Sequence, residues 1–108
     1  MSEELSRDDT PNIATIDGAA IQTEEDFHRS IHKQLFPEWD HYGNNPSALW
    51  DVLTTDVARP AGVVWIDAEA SSKILGAEKF GKICVLLAAV CKQDHDLGLP
   101  APFEFQLR

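Results

Sequence analysis

Positive charge is scarce in this chain of 108 residues, where nine lysines and arginines stand against eighteen aspartates and glutamates, a net charge of −9. Such a surface repels phosphates, which argues against direct nucleic-acid binding, and it steers cationic partners toward itself. Long apolar runs are missing too. None approaches the roughly 18–20 residues that span a bilayer. The opening Met1-Ser2-Glu3-Glu4 is acidic and lacks the apolar segment of a secretory signal. A cytoplasmic protein without membrane contact is therefore expected. Cysteine is limited to Cys84 and Cys91, in an apolar stretch that reads as helix. Two helical turns separate them by roughly 10 Å along the axis, beyond the ~7 Å Cα limit of a disulfide. Reduced core residues are the expectation. The chain also has no Cys-x-x-Cys, no phosphate-cradling glycine loop, and no spacing that pairs a nucleophile with a base or sets two carboxylates for catalysis. Neither enzymatic activity nor a cofactor is expected.

What is present fits one small domain. A chain of this length can build a single core, and its 44% hydrophobic content is ordinary for a globular protein. Residues 1–12 are polar and acidic and read as a disordered tail, leaving residues 13–108 as the domain. Ile13 to Ile16 is a strand candidate closed by the turn pair Asp17-Gly18. Thr23 offers an N-cap, with Glu24, Glu25 and Asp26 in the first turn and a stripe of Phe27, Ile31 and Leu35, before Pro37 ends the helix. A second helix starts from Asn45 as N-cap and Pro46 at its first position and runs to about Thr55. Gly62-Val63-Val64-Trp65-Ile66 reads as a buried central strand.

Asp67 is expected to cap a short helix that ends at Gly76. The longest helix follows, from Ala77 to about Gln93, with Phe80, Ile83, Cys84, Leu87, Val90 and Cys91 inward. The last strand spans Phe103 to Leu107, where Phe103, Phe105 and Leu107 alternate with polar residues as on a strand with one buried face. Helical crossovers between short strands imply a parallel sheet, so the pattern predicts a small α/β domain with about four helices.

One stretch joins local structure to a possible binding surface. On the helix opened by Pro46, positions 47, 50, 51 and 54 share a side while 49, 52 and 53 face elsewhere. Ser47, Trp50, Asp51 and Thr54 thus stand together, beside the loop of His41 and Tyr42. An aromatic anchor, a carboxylate and small hydroxyls make a candidate binding face. The bland alternative is a partly buried tryptophan and a solvated aspartate. Spacing alone favours the bland alternative; charge weighs toward the binding face, because residues 36–69 carry six acids against Arg59 alone, a net of −5, whereas residues 70–108 carry a net of +1.

The run Tyr42-Gly43-Asn44-Asn45-Pro46-Ser47-Ala48-Leu49-Trp50-Asp51-Val52-Leu53 resembles the signature of the barstar family, the intracellular ribonuclease inhibitors. Ile16-Asp17-Gly18 and Gly76-Ala77-Glu78 agree in order and spacing, so the resemblance covers roughly residues 13–107. It implies a three-stranded parallel sheet and an inhibitor that presents a carboxylate where a ribonuclease would hold a phosphate. Asp51 matches the phosphate-mimicking aspartate by position, and Trp50, Asn45, Gly43, Tyr42 and His41 match positions on the contact face. The chain departs from the family pattern at Ser47 and Asn44, which are often acidic, and at His41, often aromatic. Those departures point to a ribonuclease other than the type enzyme, or to weaker inhibition. The implied partner is a cationic protein, an extracellular-type ribonuclease, bound by a chain that is a monomer when free. The alternative is an immunity or adaptor module using the same face against a different cationic protein.

Two other clusters read as ordinary. His28 and His32 stand four apart on the first helix, a spacing that can bind metal, but no third ligand neighbours them and solvated histidines are expected. Asp94-His95-Asp96 reads as a polar connector between helix and strand.

Overall fold

The computed structural model describes residues 12–40 and 42–108. The expected N-terminal tail lies outside them except for Asn12, and so does His41. Strand β1 (Asn12–Asp17) leads through a 3-10 turn (Gly18–Ala20) into helix α1 (Glu24–Leu35) and helix α2 (Pro46–Thr55). Strand β2 (Ala61–Ile66) follows, then helices α3 (Ala68–Leu75) and α4 (Ala77–Asp96), and finally strand β3 (Glu104–Leu107). The three strands form one parallel sheet in the order β1-β2-β3. Its register pairs Ile16 with Trp65 and Val63 with Phe105. The fold is the three-stranded parallel α/β domain that the helical crossovers imply. Among the described residues no helix is long and apolar enough to cross a membrane.

Helix α1 starts on a capping box: Asp26 N–H donates to Thr23 Oγ1 at 3.1 Å, and the Asp26 carboxylate accepts from Thr23 N–H at 3.2 Å. Two of the helix's orphan donors are thereby satisfied. Its stripe of Phe27 and Ile31 is buried against the sheet. The core centres on Trp65 of β2, whose ring stacks on Phe27 at 4.8 Å and meets the edge of Phe80 at 5.0 Å. Burying an indole leaves its N–H needing an acceptor. Ser71 on α3 supplies it at 2.9 Å and donates its own hydroxyl hydrogen bond to the Gly18 carbonyl at 2.8 Å. Gly18 has to be glycine, because a Cβ there would collide with the carbonyl oxygens of Ile66 and Asp67.

Five expectations are corrected. Strand β2 is buried at Ala61 to Val63 and at Trp65, but Val64 is half-buried and Ile66, at its end, is 40% exposed. Asp67 does not cap α3 through its side chain; its backbone is left-handed (φ 53°), and it bonds through its carbonyl to Ala70 N–H. Helix α4 extends to Asp96, so Asp94-His95-Asp96 is its last turn and not a connector. Asp94 is buried there, bonded to Arg59 and to the main chain of Phe103. Cys84 and Cys91 are free thiols but only half-buried. In the last strand, Phe103 is buried just ahead of it, Phe105 is half-buried and Leu107 is exposed, because β3 is an edge strand whose end leaves the core.

Gln34, on the exposed side of α1, plugs the rim of β1. The Gln34 carboxamide accepts from Thr15 N–H at 2.8 Å and donates to Thr15 O at 2.9 Å. One side-chain amide thus takes the place that a neighbouring strand would occupy.

Candidate functional site

The candidate face is helix α2 and the loop that enters it. Asn45 caps the helix, its Oδ1 accepting from Ala48 N–H at 2.9 Å while its Nδ2 donates to Gly43 O at 3.2 Å. Pro46 takes the first helical position, where no N–H is needed. Asn44 turns the chain in a left-handed conformation (φ 52°), which asparagine tolerates better than most residues. Gly43 is held small by its neighbour, since a Cβ there would stand 2.7 Å from Asn45 Nδ2. Turn and cap are one unit.

The buried side of α2 is Leu49, Val52 and Leu53, as the spacing requires. On the other side Ser47 and Asp51 are exposed, and Trp50 is half-buried with its ring packed against the core. Thr54 is half-buried and donates its hydroxyl to the Trp50 carbonyl at 2.7 Å. That bond turns its hydroxyl back into the helix. The Asp51 carboxylate has no hydrogen-bond or ion-pair partner among the described residues. Helical spacing therefore brings Ser47, Trp50, Asp51 and Thr54 to one side, with Gly43, Asn44 and Asn45 exposed at its N-terminal end. His41 lies outside the described residues, so its place in this face is not defined.

Tyr42 faces inward. Its ring meets Phe36 edge-on at 4.9 Å and lies 5.3 Å from His32, and its hydroxyl stands 2.6 Å from Nδ1 of His28. His32 donates from Nε2 to the Trp39 carbonyl at 2.6 Å. Neither histidine is the solvated residue expected from spacing. His28 is 1% exposed, and His32 is half-buried among the rings. The stripe of Phe27 and Ile31 hid this, because the groups that bury the two imidazoles arrive from residues 36–42, beyond the reach of helical periodicity. Histidine burial is the feature of this site that sequence spacing missed; the aromatic richness of that loop was its one visible signal. Among the described residues no group of three or more potential ligands is placed to hold a metal.

Charge separates this face from the rest of the surface. Glu38, Asp40, Asp51 and Asp56 are all exposed, and no lysine or arginine occurs between residues 36 and 56. Ion pairs of the described residues lie elsewhere: Arg29 with Glu25 and Asp26, Arg59 with Asp94, Lys73 with Glu69, Lys82 with Glu78, and Lys92 with Asp96.

The fold defines a class of small parallel α/β domain, and four of its exposed acids, Glu38, Asp40, Asp51 and Asp56, lie on helix α2 and the segments that flank it. A family model described as Barstar (barnase inhibitor) matches residues 12–106, and the chain belongs to that family. It is a family of inhibitors, not of enzymes.

Proposed function

We propose that this chain inhibits a small basic ribonuclease by laying the Trp50–Asp51 side of α2 over the enzyme's active site. The single observation that carries the reading is the exposed Asp51 carboxylate, without a cation among the described residues, on a helix otherwise anchored to the core. A ribonuclease active site is cationic because it must hold phosphate and stabilise the charge of the transition state. A carboxylate presented on a rigid helix can take the phosphate's place and accept charge-assisted bonds from arginine or lysine. Trp50 would provide apolar contact beside it. Ser47, Asn45, Asn44, Gly43, Thr54, Tyr42 and His41 would form the surround, with Tyr42 and Thr54 contributing mainly by holding backbone in place. The exposed acids at 38, 40 and 56 would speed encounter with a basic partner at low ionic strength.

Asp51→Ala tests it. Truncating one partner of a desolvated charge pair costs about 2–5 kcal/mol, so the dissociation constant should rise about thirtyfold to several thousandfold. Calorimetry against a panel of small basic ribonucleases that includes barnase reads this directly. A bound ribonuclease whose affinity is unchanged by Asp51→Ala refutes the role of Asp51. A panel in which none binds, while another basic protein is retained through the same helix, makes the target a different cationic protein.

A further inference from the structure

Among the described residues, Nε2 of His28 is the one buried side-chain polar atom without a hydrogen-bond partner. The charged group nearest it is the Glu24 carboxylate, 3.7 Å away and 34% exposed, too far for a hydrogen bond. On the other side of the ring, Nδ1 and the Tyr42 hydroxyl are 2.6 Å apart. Burial raises the Tyr42 phenol above its ordinary pKa, so it keeps its proton. The arrangement that satisfies most groups has the phenol donating to Nδ1 and the imidazole proton on Nε2, toward Glu24. A second proton would have to go to Nδ1. That reverses the bond: Nδ1–H becomes a donor, and the phenol's hydrogen loses its acceptor.

Tyr42 is the first residue of the turn that caps α2. Three residues on, Asn45 bonds both Gly43 O and Ala48 N–H. A shift of Tyr42 therefore reaches the helix cap within one turn of chain. We propose that His28 is a positioning residue for the α2 face: its neutral ring holds Tyr42 and the cap in place, and protonation releases them. The consequence for affinity rests on the ribonuclease-inhibitor reading above; the step from His28 to the loop does not.

The direction with pH follows from the surroundings. Burial pushes the His28 imidazole below its ordinary 6.5, and Glu24, on the same helix, offsets part of that effect. Tyr42 is the titratable group facing it from the loop, and it stays neutral. His32, one turn along α1, faces the Tyr42 ring and the Trp39 carbonyl. Phe27 packs against His28 with its ring edge at 5.4 Å between centroids and brings no charge. The neutral, loop-holding form thus dominates above 6.5, and release begins below it.

The test is a proton–nitrogen NMR titration of the full free chain from pH 7.5 to 5. The expected result is that amides of Gly43, Asn45 and Ala48 move with the same midpoint, below 6.5, as the His28 ring protons. In His28→Gln that movement should vanish, whereas in His32→Gln it should persist. Tyr42→Phe, which keeps the ring packing, should uncouple the loop amides from the His28 midpoint even if His28→Gln fails to fold. Loop amides that ignore the His28 midpoint overturn the proposal without reference to any partner. With the ribonuclease retained by the panel, the ratio of wild-type to His28→Gln affinity cancels the enzyme's own titrations. It should fall by up to about tenfold per pH unit below the midpoint. A flat ratio together with coupled amides supports the positioning role and refutes the use of this face against the ribonuclease.

Discussion

Asp94→Ala should be among the most damaging single changes in this domain, although Asp94 belongs to no binding surface. Its carboxylate is 2% exposed and joins three separate segments. Oδ2 accepts from Arg59 Nε at 2.6 Å and from Phe103 N–H at 2.7 Å, and Oδ1 accepts from Arg59 Nη2 at 3.1 Å. Arg59 also donates from Nη1 to Val57 O at 2.7 Å and stands 5.6 Å from the Phe103 ring centroid. Removing the carboxylate strands a buried backbone N–H, which costs about 1–3 kcal/mol. It also leaves a guanidinium without its counter-charge. Breaking a buried pair costs about 3–5 kcal/mol, but Arg59 is 17% exposed and keeps its Val57 and Phe103 contacts, so water and those contacts recover part of it. A net loss of about 3–4 kcal/mol follows.

Against a total stability of roughly 5–15 kcal/mol, that lowers Tm by roughly 15–25 °C. Urea unfolding followed by tryptophan fluorescence should show a lower midpoint at unchanged slope. The same clasp has a pH signature. Burial alone would raise the Asp94 carboxyl, but the Arg59 guanidinium and the Phe103 N–H outweigh it and hold the group below the usual 3.8. A depressed folded pKa contributes stability above the unfolded value, so the wild type should lose this term as pH falls through and below about 3.8. Asp94→Asn should lack that acid-dependent loss. A destabilisation under about 1 kcal/mol for Asp94→Ala would refute the clasp.

Two further outcomes are expected. Asn45→Ala removes the cap of α2 and should cost about 1 kcal/mol, while Asn45→Asp keeps an acceptor for Ala48 N–H and should recover most of it; equal stability of Asn45→Ala and wild type in urea would contradict the cap. Gln34→Ala should lower stability by only about 0.5–1.5 kcal/mol, because Thr15 at the exposed rim can bond to water instead. It should also raise self-association in sedimentation velocity at high concentration, since the vacated N–H and C=O can accept a strand from another chain; unchanged sedimentation would show that the carboxamide does not guard the edge.

Much of the architecture was legible because it is written locally. Thr23 with Asp26, Asn45 with Pro46, and the apolar run through Val63 and Trp65 each contain within a few residues the groups that form the cap or the strand. The side of α2 shared by Ser47, Trp50, Asp51 and Thr54 follows from helical geometry alone. What escaped depends on partners far along the chain. Asp94 looks like a solvated turn residue until Arg59, 35 residues away, is placed beside it. His28 looks exposed because the residue that covers its polar edge, Tyr42, is 14 residues on and across a loop. Leu107 fits an alternating strand pattern, yet the sheet ends there and leaves it 49% exposed.

The same contrast bears on how the acid-rich segment is held. Four exposed carboxylates between residues 36 and 56 repel one another, and no lysine or arginine of that segment relieves them. A surface chosen for stability alone would intersperse cations, as α3 and α4 do with Lys73 beside Glu69, Lys82 beside Glu78 and Lys92 beside Asp96. Here the repulsion is offset instead by packing beneath the surface. Leu49, Val52 and Leu53 fix the helix from below, and the rings of His32, Phe36, Trp39 and Tyr42 tie its entry loop to α1. On the proposed ribonuclease-inhibitor reading, a face held this way would lose little conformational freedom on docking, so most of its interaction energy would appear as affinity. Departures from ordinary surface patterning tend to sit where function requires them. In this domain the departure is a run of exposed acids without lysine or arginine among them, and the one that lies within α2, beside its one tryptophan, is Asp51.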